Sequence, residues 1–143
     1  MKSRFAAAAA AAGLLVAIVP NVDAHHSFAS EFDGNKTVRL VGKLTKIEWT
    51  NPHSYFYLDV EDQNGKVSNW GCEAGAPGAL SRRGFKKGDI KLGDTLVVDG
   101  YLAKDGSHLI DARRVTLPDG RSVSGGSTGD GGPQDSTTSQ KKE

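Results

Sequence analysis

The sequence predicts an all-β domain, a small closed barrel of five strands with one short helix between strands three and four. Three observations carry that expectation. Val, Ile, Thr and aromatic residues alternate with polar ones from Val38 to Leu117, which is the period of half-buried strands. Turn dipeptides recur at regular intervals along the same stretch. The one break in the pattern, Gly75 to Gly78, leaves room for only one or two helical turns before the alternation resumes.

In chain order, Val38, Leu40, Gly42 and Leu44 share one face of a first strand, and the apolar positions then change parity to Ile47 and Trp49. A bulge near Gly42 or Thr45 accounts for the change and bends the strand, so that one strand serves two sheets. The second strand follows Asn51-Pro52, with Phe56, Leu58 and Val60 on one face and Tyr55, Tyr57 and Asp59 on the other. Asp62 to Gly65 is a hairpin turn, and Lys66 to Glu73 forms the third strand with Val67, Trp70 and Cys72. Pro77 suits a helix start. The helix would cover Ala79 to Arg83 and stop at Gly84, with Phe85 closing back on the core. Thr95 to Tyr101 and His108 to Leu117 form a second hairpin across Lys104-Asp105-Gly106-Ser107, and Pro118-Asp119-Gly120 ends the sheet. Three strands, a short helix and two strands, with the first strand bent, is the order of an OB-like five-stranded barrel. An open sandwich is the alternative arrangement.

Upstream lies an export signal. Lys2 and Arg4 form a positive n-region, Phe5 to Val19 runs without a charge, Pro20 ends any helix, and Val22 and Ala24 suit a signal peptidase. Cleavage is expected after Ala24. The apolar run of about 15 residues is shorter than the roughly 20 of a spanning helix, so no membrane span should remain. The predicted organisation is therefore a signal peptide over 1–24, an N-terminal arm over 25–36, the barrel over 37–123 and a disordered Gly/Ser/Thr-rich tail over 124–143. The tail carries no aliphatic or aromatic side chain to offset its ordering entropy. The expected location is periplasmic or secreted, in a bacterium.

Of 18 basic and 17 acidic residues, the leader holds Lys2, Arg4 and Asp23, leaving 16 of each. A neutral chain lacks the field that draws a protein to a phosphate backbone, so nucleic acid is not an expected partner. Cys72 is the sole cysteine, which excludes an intramolecular disulfide.

Several short motifs coincide. They are His25-His26-Ser27-Phe28, Glu48-Trp49-Thr50-Asn51-Pro52-His53, Arg82-Arg83-Gly84-Phe85, and Gly100-Tyr101 to Asp105-Gly106 followed by Ala112-Arg113 and Leu117-Pro118-Asp119-Gly120. Over about His25 to Val123 the chain resembles a family of small uncharacterised exported bacterial proteins. The resemblance implies membership and no assigned activity.

For chemistry, the mature terminus is the most informative feature. Cleavage after Ala24 would give His25 a free α-amine beside its ring nitrogen, a bidentate chelate unavailable to an internal histidine, with an amine pKa near 8. Nitrogen-rich sites favour Cu(II), with Zn(II) and Ni(II) after it. His26 is adjacent. His53, in the loop between strands one and two, is the expected partner, since that loop borders the OB binding face. Phe28 and Phe32 would dock the arm and let the terminus approach His53. Glu31, Asp33 and Glu73 are possible oxygen ligands, and His108 reads as an exposed turn residue.

The alternative is a metal-independent module. In it, Tyr55 and Tyr57 with Trp49, or Arg82 and Arg83 in the basic run to Lys87, would contact a small ligand, an envelope component or a partner protein. The sequence contains no nucleophile elbow, phosphate loop or His-Glu-x-x-His motif, so an enzyme is not expected.

Overall fold

The alternation in the middle of the chain becomes strands in a computed structural model, which describes residues 27–127 and 130–133. The expected signal peptide, His25, His26 and residues 134–143 lie outside the described residues. A short helix, α1 (Phe28–Glu31), leads into β1 (Phe32–Glu48). It is followed by β2 (Ser54–Glu61), β3 (Val67–Ala74), α2 (Pro77–Arg82), β4 (Thr95–Ala103), β5 (Leu109–Thr116) and β6 (Ser122–Ser124).

β1 pairs antiparallel with β4 through Thr37 to Lys43 and with β2 from Gly42 onward. The pairing with β2 slips by one residue between Leu44 and Lys46, which places the bulge at Thr45. That extra residue keeps Leu44 and Ile47 on the core side although they lie three apart. β2 pairs with β3, β4 pairs with β5, and a short parallel contact joins Gly71–Glu73 of β3 to Leu109–Asp111 of β5. The ring therefore closes in the order β1-β2-β3-β5-β4. This is the all-β, OB-like five-stranded barrel that the alternation predicts, with α2 between β3 and β4.

Inside the ring, Leu44, Phe56, Leu58, Leu96, Val98, Ile110 and Val115 are almost wholly buried. α2 adds Leu80, and Phe85 packs edge-on against Phe56 and Trp49. The helix ends as its sequence requires. Gly84 takes φ +87°, its N–H donates to the Ser81 carbonyl, and the Phe85 N–H donates to Leu80. That pair of bonds satisfies the last free carbonyls and swings Phe85 inward.

Two expected boundaries are corrected. The sheet begins at Phe32 rather than residue 37, because Phe32 is buried and pairs with Ala103 before the register shifts ahead of Thr37. At the other end, the Pro118-Asp119-Gly120 turn does not finish the sheet. β6 returns along β5, pairing Val123 with Val115 and Ser124 with Arg114. Beyond it, the described part of the expected disordered tail is packed on the barrel. Gly125 exchanges backbone bonds with Gly75 and Arg113, and Gly125, Gly126, Asp130 and Gly132 are buried. Apolar content misses this kind of docking, which relies on backbone bonds and on glycines that let two backbones approach closely.

Candidate functional site

Outward-facing residues of neighbouring strands fall into one row across the barrel. Glu48 of β1 lies opposite Tyr55 of β2, Tyr55 opposite Glu73 of β3, Glu73 beside Asp111 of β5, and Asp111 opposite Tyr101 of β4. Most outer faces are wet, but here α1 and residues 125–127 and 130–133 lie over the row. Glu73, Asp111, Arg113 and Asp130 are consequently the buried charged residues among those described. Buried charges are costly unless they are paired, and each of these is.

His53 stands at the edge of the row. Its Nδ1 lies 3.1 Å from Oε1 of Glu73, with both side chains largely buried. The two atoms are close without the alignment of a formed hydrogen bond, since Nδ1 has no bonded partner. On the other carboxylate oxygen, the Tyr55 hydroxyl donates to Oε2 at 2.9 Å. Burial raises the Glu73 pKa, the Tyr55 bond and the His53 charge oppose that rise, and the charges of Glu31 and Asp130 add to it. The Tyr55 phenol is also pushed up, by burial first and then by its bond to Glu73. Thr50 holds the loop ahead of His53 by donating its hydroxyl to the His53 carbonyl.

Further along, the β4–β5 register slips between Asp99 and Gly100, so Arg113 is the extra residue of a bulge on β5. The bulge aims Arg113 across the row, where Nε lies 2.5 Å from Oδ1 of Asp111 and Nη2 bonds Oδ2 of Asp130 at 3.1 Å. Burial pushes the Asp111 carboxyl up to about 7 despite the pull of Arg113, and the charges of Asp130 and Glu73 push the same way.

The arm docks as the Phe28 and Phe32 spacing predicts. The Phe28 ring stacks on Phe32, meets Tyr101 edge-on at 5.3 Å and lies 5.0 Å from the Arg113 guanidinium. Its N–H donates to the Asp130 carbonyl, and the Lys104 N–H donates to Glu31. The charge of Glu31 acts on both Tyr55 and Glu73, so α1 runs beside the partner of His53.

Of the residues singled out by sequence, the structure brings together His53, Tyr55, Glu73 and Glu31. His25 and His26 lie outside the described residues, and the remaining ones stand apart from this group. The Tyr57 hydroxyl donates to Glu48, and Lys46 lies over its ring, so this half-exposed tyrosine is engaged by its own strand neighbours. Trp49 is half-buried against Phe85 and the core rather than presented to a ligand. Arg82 is exposed, but Arg83 donates to the Gly126 carbonyl, so half of that basic pair holds the chain itself. His108 is exposed, as expected, and stacks on Trp70 at 4.5 Å. Asp33 bonds the Asn35 N–H and pairs with Lys36. Asp111, Arg113 and Asp130 were not expected. The available signal was a pair of opposite charges at i, i+2 on a strand whose alternate residues, Ile110 and Ala112, are apolar.

Among the described residues no group of three His, Cys, Asp or Glu side chains is arranged to hold a metal ion, and no helix is long and apolar enough to cross a membrane.

The profile of a family of unknown function (DUF6152) matches residues 12–110. Among curated proteins, none matches this chain. Among solved structures, the chain is similar to the N-terminal domain of the PriB protein from Thermoanaerobacter tencongensis, described as dimeric. The identity is 18% and the TM-score 0.42, over 58% of this chain and 96% of that one.

Proposed function

The chain belongs to this family of unknown function, and on that footing we propose that it is an exported, periplasmic binding protein whose mature N-terminus holds copper together with His53. The observation that carries the reading is the His53–Glu73 pair beside the docked arm. A carboxylate facing one ring nitrogen of a histidine fixes the ring and makes the other nitrogen the better ligand, a common arrangement behind metal-bound histidines. With Nδ1 turned to Glu73, Nε2 is the ring nitrogen for a metal. The Phe28 amide is anchored to Asp130, and His25 stands three residues ahead of it, at most about 10 Å of extended chain. The α-amine and ring of His25, with His26 adjacent and Nε2 of His53 opposite, would supply a nitrogen-rich set suited to Cu(II) ahead of Zn(II) or Ni(II). Copper would be bound as cargo or resident ion, and no enzymatic step is assigned to the chain.

The reading is tested by the mass of the exported protein followed by Cu(II) titration. A mature chain starting at His25 should bind one equivalent tightly, and a chain carrying one extra residue before His25 should bind far more weakly. Equal binding by the two forms would rule out the terminal chelate, and absence of tight binding by both would leave the metal-independent module, with a small ligand or an envelope protein as partner, as the surviving reading.

A further inference from the structure

The two ends of the described chain meet on the barrel, and they meet through the same side chains. Phe28 packs its ring on the Arg113 guanidinium. Arg113 bonds Asp130, and the Asp130 carbonyl accepts the Phe28 N–H at 2.8 Å. The Asp130 carboxylate also accepts the N–H of Gly132 at 2.8 Å, which folds residues 130–133 into a turn. Gly132 is seated so tightly that a Cβ there would lie 2.9 Å from the Phe28 ring and 2.8 Å from Cζ of Arg113. A second attachment lies one stretch earlier, where Arg83 donates to Gly126 and Gly75 to Gly125.

From this closed circuit we infer that residues 125–127 and 130–133 act as a clasp, with Asp130 as the positioning residue that fixes the N-terminal arm on the barrel. The arm needs such a device. α1 has only four residues, its N-cap makes no side-chain bond, and a helix so short has no stability of its own in water. Phe28 contributes apolar burial, and Lys104 bonds the Ala29 and Glu31 carbonyls further along the helix, but neither fixes the backbone leading into Phe28. The Asp130 carbonyl does, because it bonds the first amide of the helix. Arg113 is the hub on the barrel side, and its bulge position gives it the reach to touch both ends. The clasp is a property of the folded chain with or without metal. Its consequence for copper rests on the reading that His25 and His53 share an ion, since a loosened arm would then have to order itself on binding and would bind more weakly.

The test uses the full mature chain and two independent variants, Asp130→Ala and Gly132→Ala. Asp130→Ala leaves Arg113 its ion pair with Asp111, so the barrel should stay folded. Gly132→Ala keeps every charge and wedges a methyl between the two ends. Amide hydrogen exchange of the metal-free proteins reads the clasp directly. The inference expects Phe28 and Lys104 to exchange at least tenfold faster in both variants, while Phe56 and Val98 in the barrel are unchanged. Unchanged protection of Phe28 in both would overturn the clasp whatever copper does. In parallel, Cu(II) affinity should fall at least about tenfold in the variants. Faster exchange at Phe28 with undiminished affinity would overturn the link between clasp and metal. Absence of copper binding by the unmodified mature chain would overturn the metal reading and that link together, and the exchange data would still decide the clasp.

Discussion

Nδ1 of His53 lies 3.1 Å from Oε1 of Glu73, and the opposite oxygen of the same carboxylate accepts the Tyr55 hydroxyl. One carboxylate thus joins a loop histidine to the outer face of β2. Replacing it with an amide tests what it does for the ring. Glu73→Gln keeps the shape and loses the charge, so copper affinity should drop by about 10- to 100-fold, the usual cost of losing a group behind a metal ligand. Isothermal titration at constant pH measures it, and an unchanged affinity would mean that Glu73 merely fills space.

Asp111 predicts an unusual pH dependence. Its carboxyl is pushed up to about 7 in the fold, by burial first, against 3.8 for the free group. Between those values the folded chain holds a proton that the unfolded chain has released. Stability attributable to this residue is therefore greatest below about pH 4 and is lost as the pH rises towards 7. A tenfold difference in proton affinity between the folded and unfolded chains is worth about 1.4 kcal/mol, so the effect over the window is on the order of a few kcal/mol. Urea unfolding at pH 5 and pH 8 should show a clear fall for the natural chain and a flatter response for Asp111→Asn. Parallel profiles for the two would contradict the assignment.

Gly100 is fixed by packing rather than by flexibility. A Cβ at this position would run into the backbone carbonyl of Asp111 on the adjacent strand. A backbone atom has nowhere to move without breaking the β4–β5 ladder. Gly100→Ala should cost at least about 1 to 3 kcal/mol, read as a lowered midpoint in thermal unfolding. A midpoint within a degree of the natural chain would show that the strands can separate freely there.

Phe28 and Phe56 are both buried, at 6% and 0% exposure, yet they should respond differently to truncation. Phe56 sits inside the ring, where loss of an aromatic side chain costs about 3 to 5 kcal/mol of global stability. Phe28 anchors a terminal arm outside it, so Phe28→Ala should free α1 while the barrel melts nearly as before. Circular dichroism melting and amide exchange distinguish the two, and a full-sized drop in the melting midpoint for Phe28→Ala would make the arm part of the core.

Much of the barrel was legible because its signals are local. The parity change between Leu44 and Ile47 announced the Thr45 bulge, and Pro77 with Gly84 bracketed α2. The inward set of Phe56 and Leu58 followed from alternation alone. What remained hidden depends on contacts distant in sequence. Gly71 to Ala74 is buried on both faces because α1 and residues 125–127 and 130–133 lie over the outer one, so outward-facing Glu73 becomes interior without any change in the alternation. The glycines at 125, 126 and 132 read as a loose tail because composition cannot distinguish a glycine that frees the chain from one that lets it lie close to a neighbour. Asp130 went unnoticed for the same reason, since its partner Arg113 lies 17 residues away. For the candidate site, the histidine in the loop after β1 was readable from position, and its carboxylate partner was one of three oxygen donors open to choice.

Whether His53 and the mature terminus share one metal ion is read from the Cu(II) affinity of the mature chain against that of His53→Ala. A shared site predicts a loss of at least about 30-fold, roughly 2 kcal/mol of binding free energy, with the one-to-one stoichiometry retained by the terminal chelate. Equal affinity for the two proteins would rule out a shared ion and reduce the site to the His25 terminus alone.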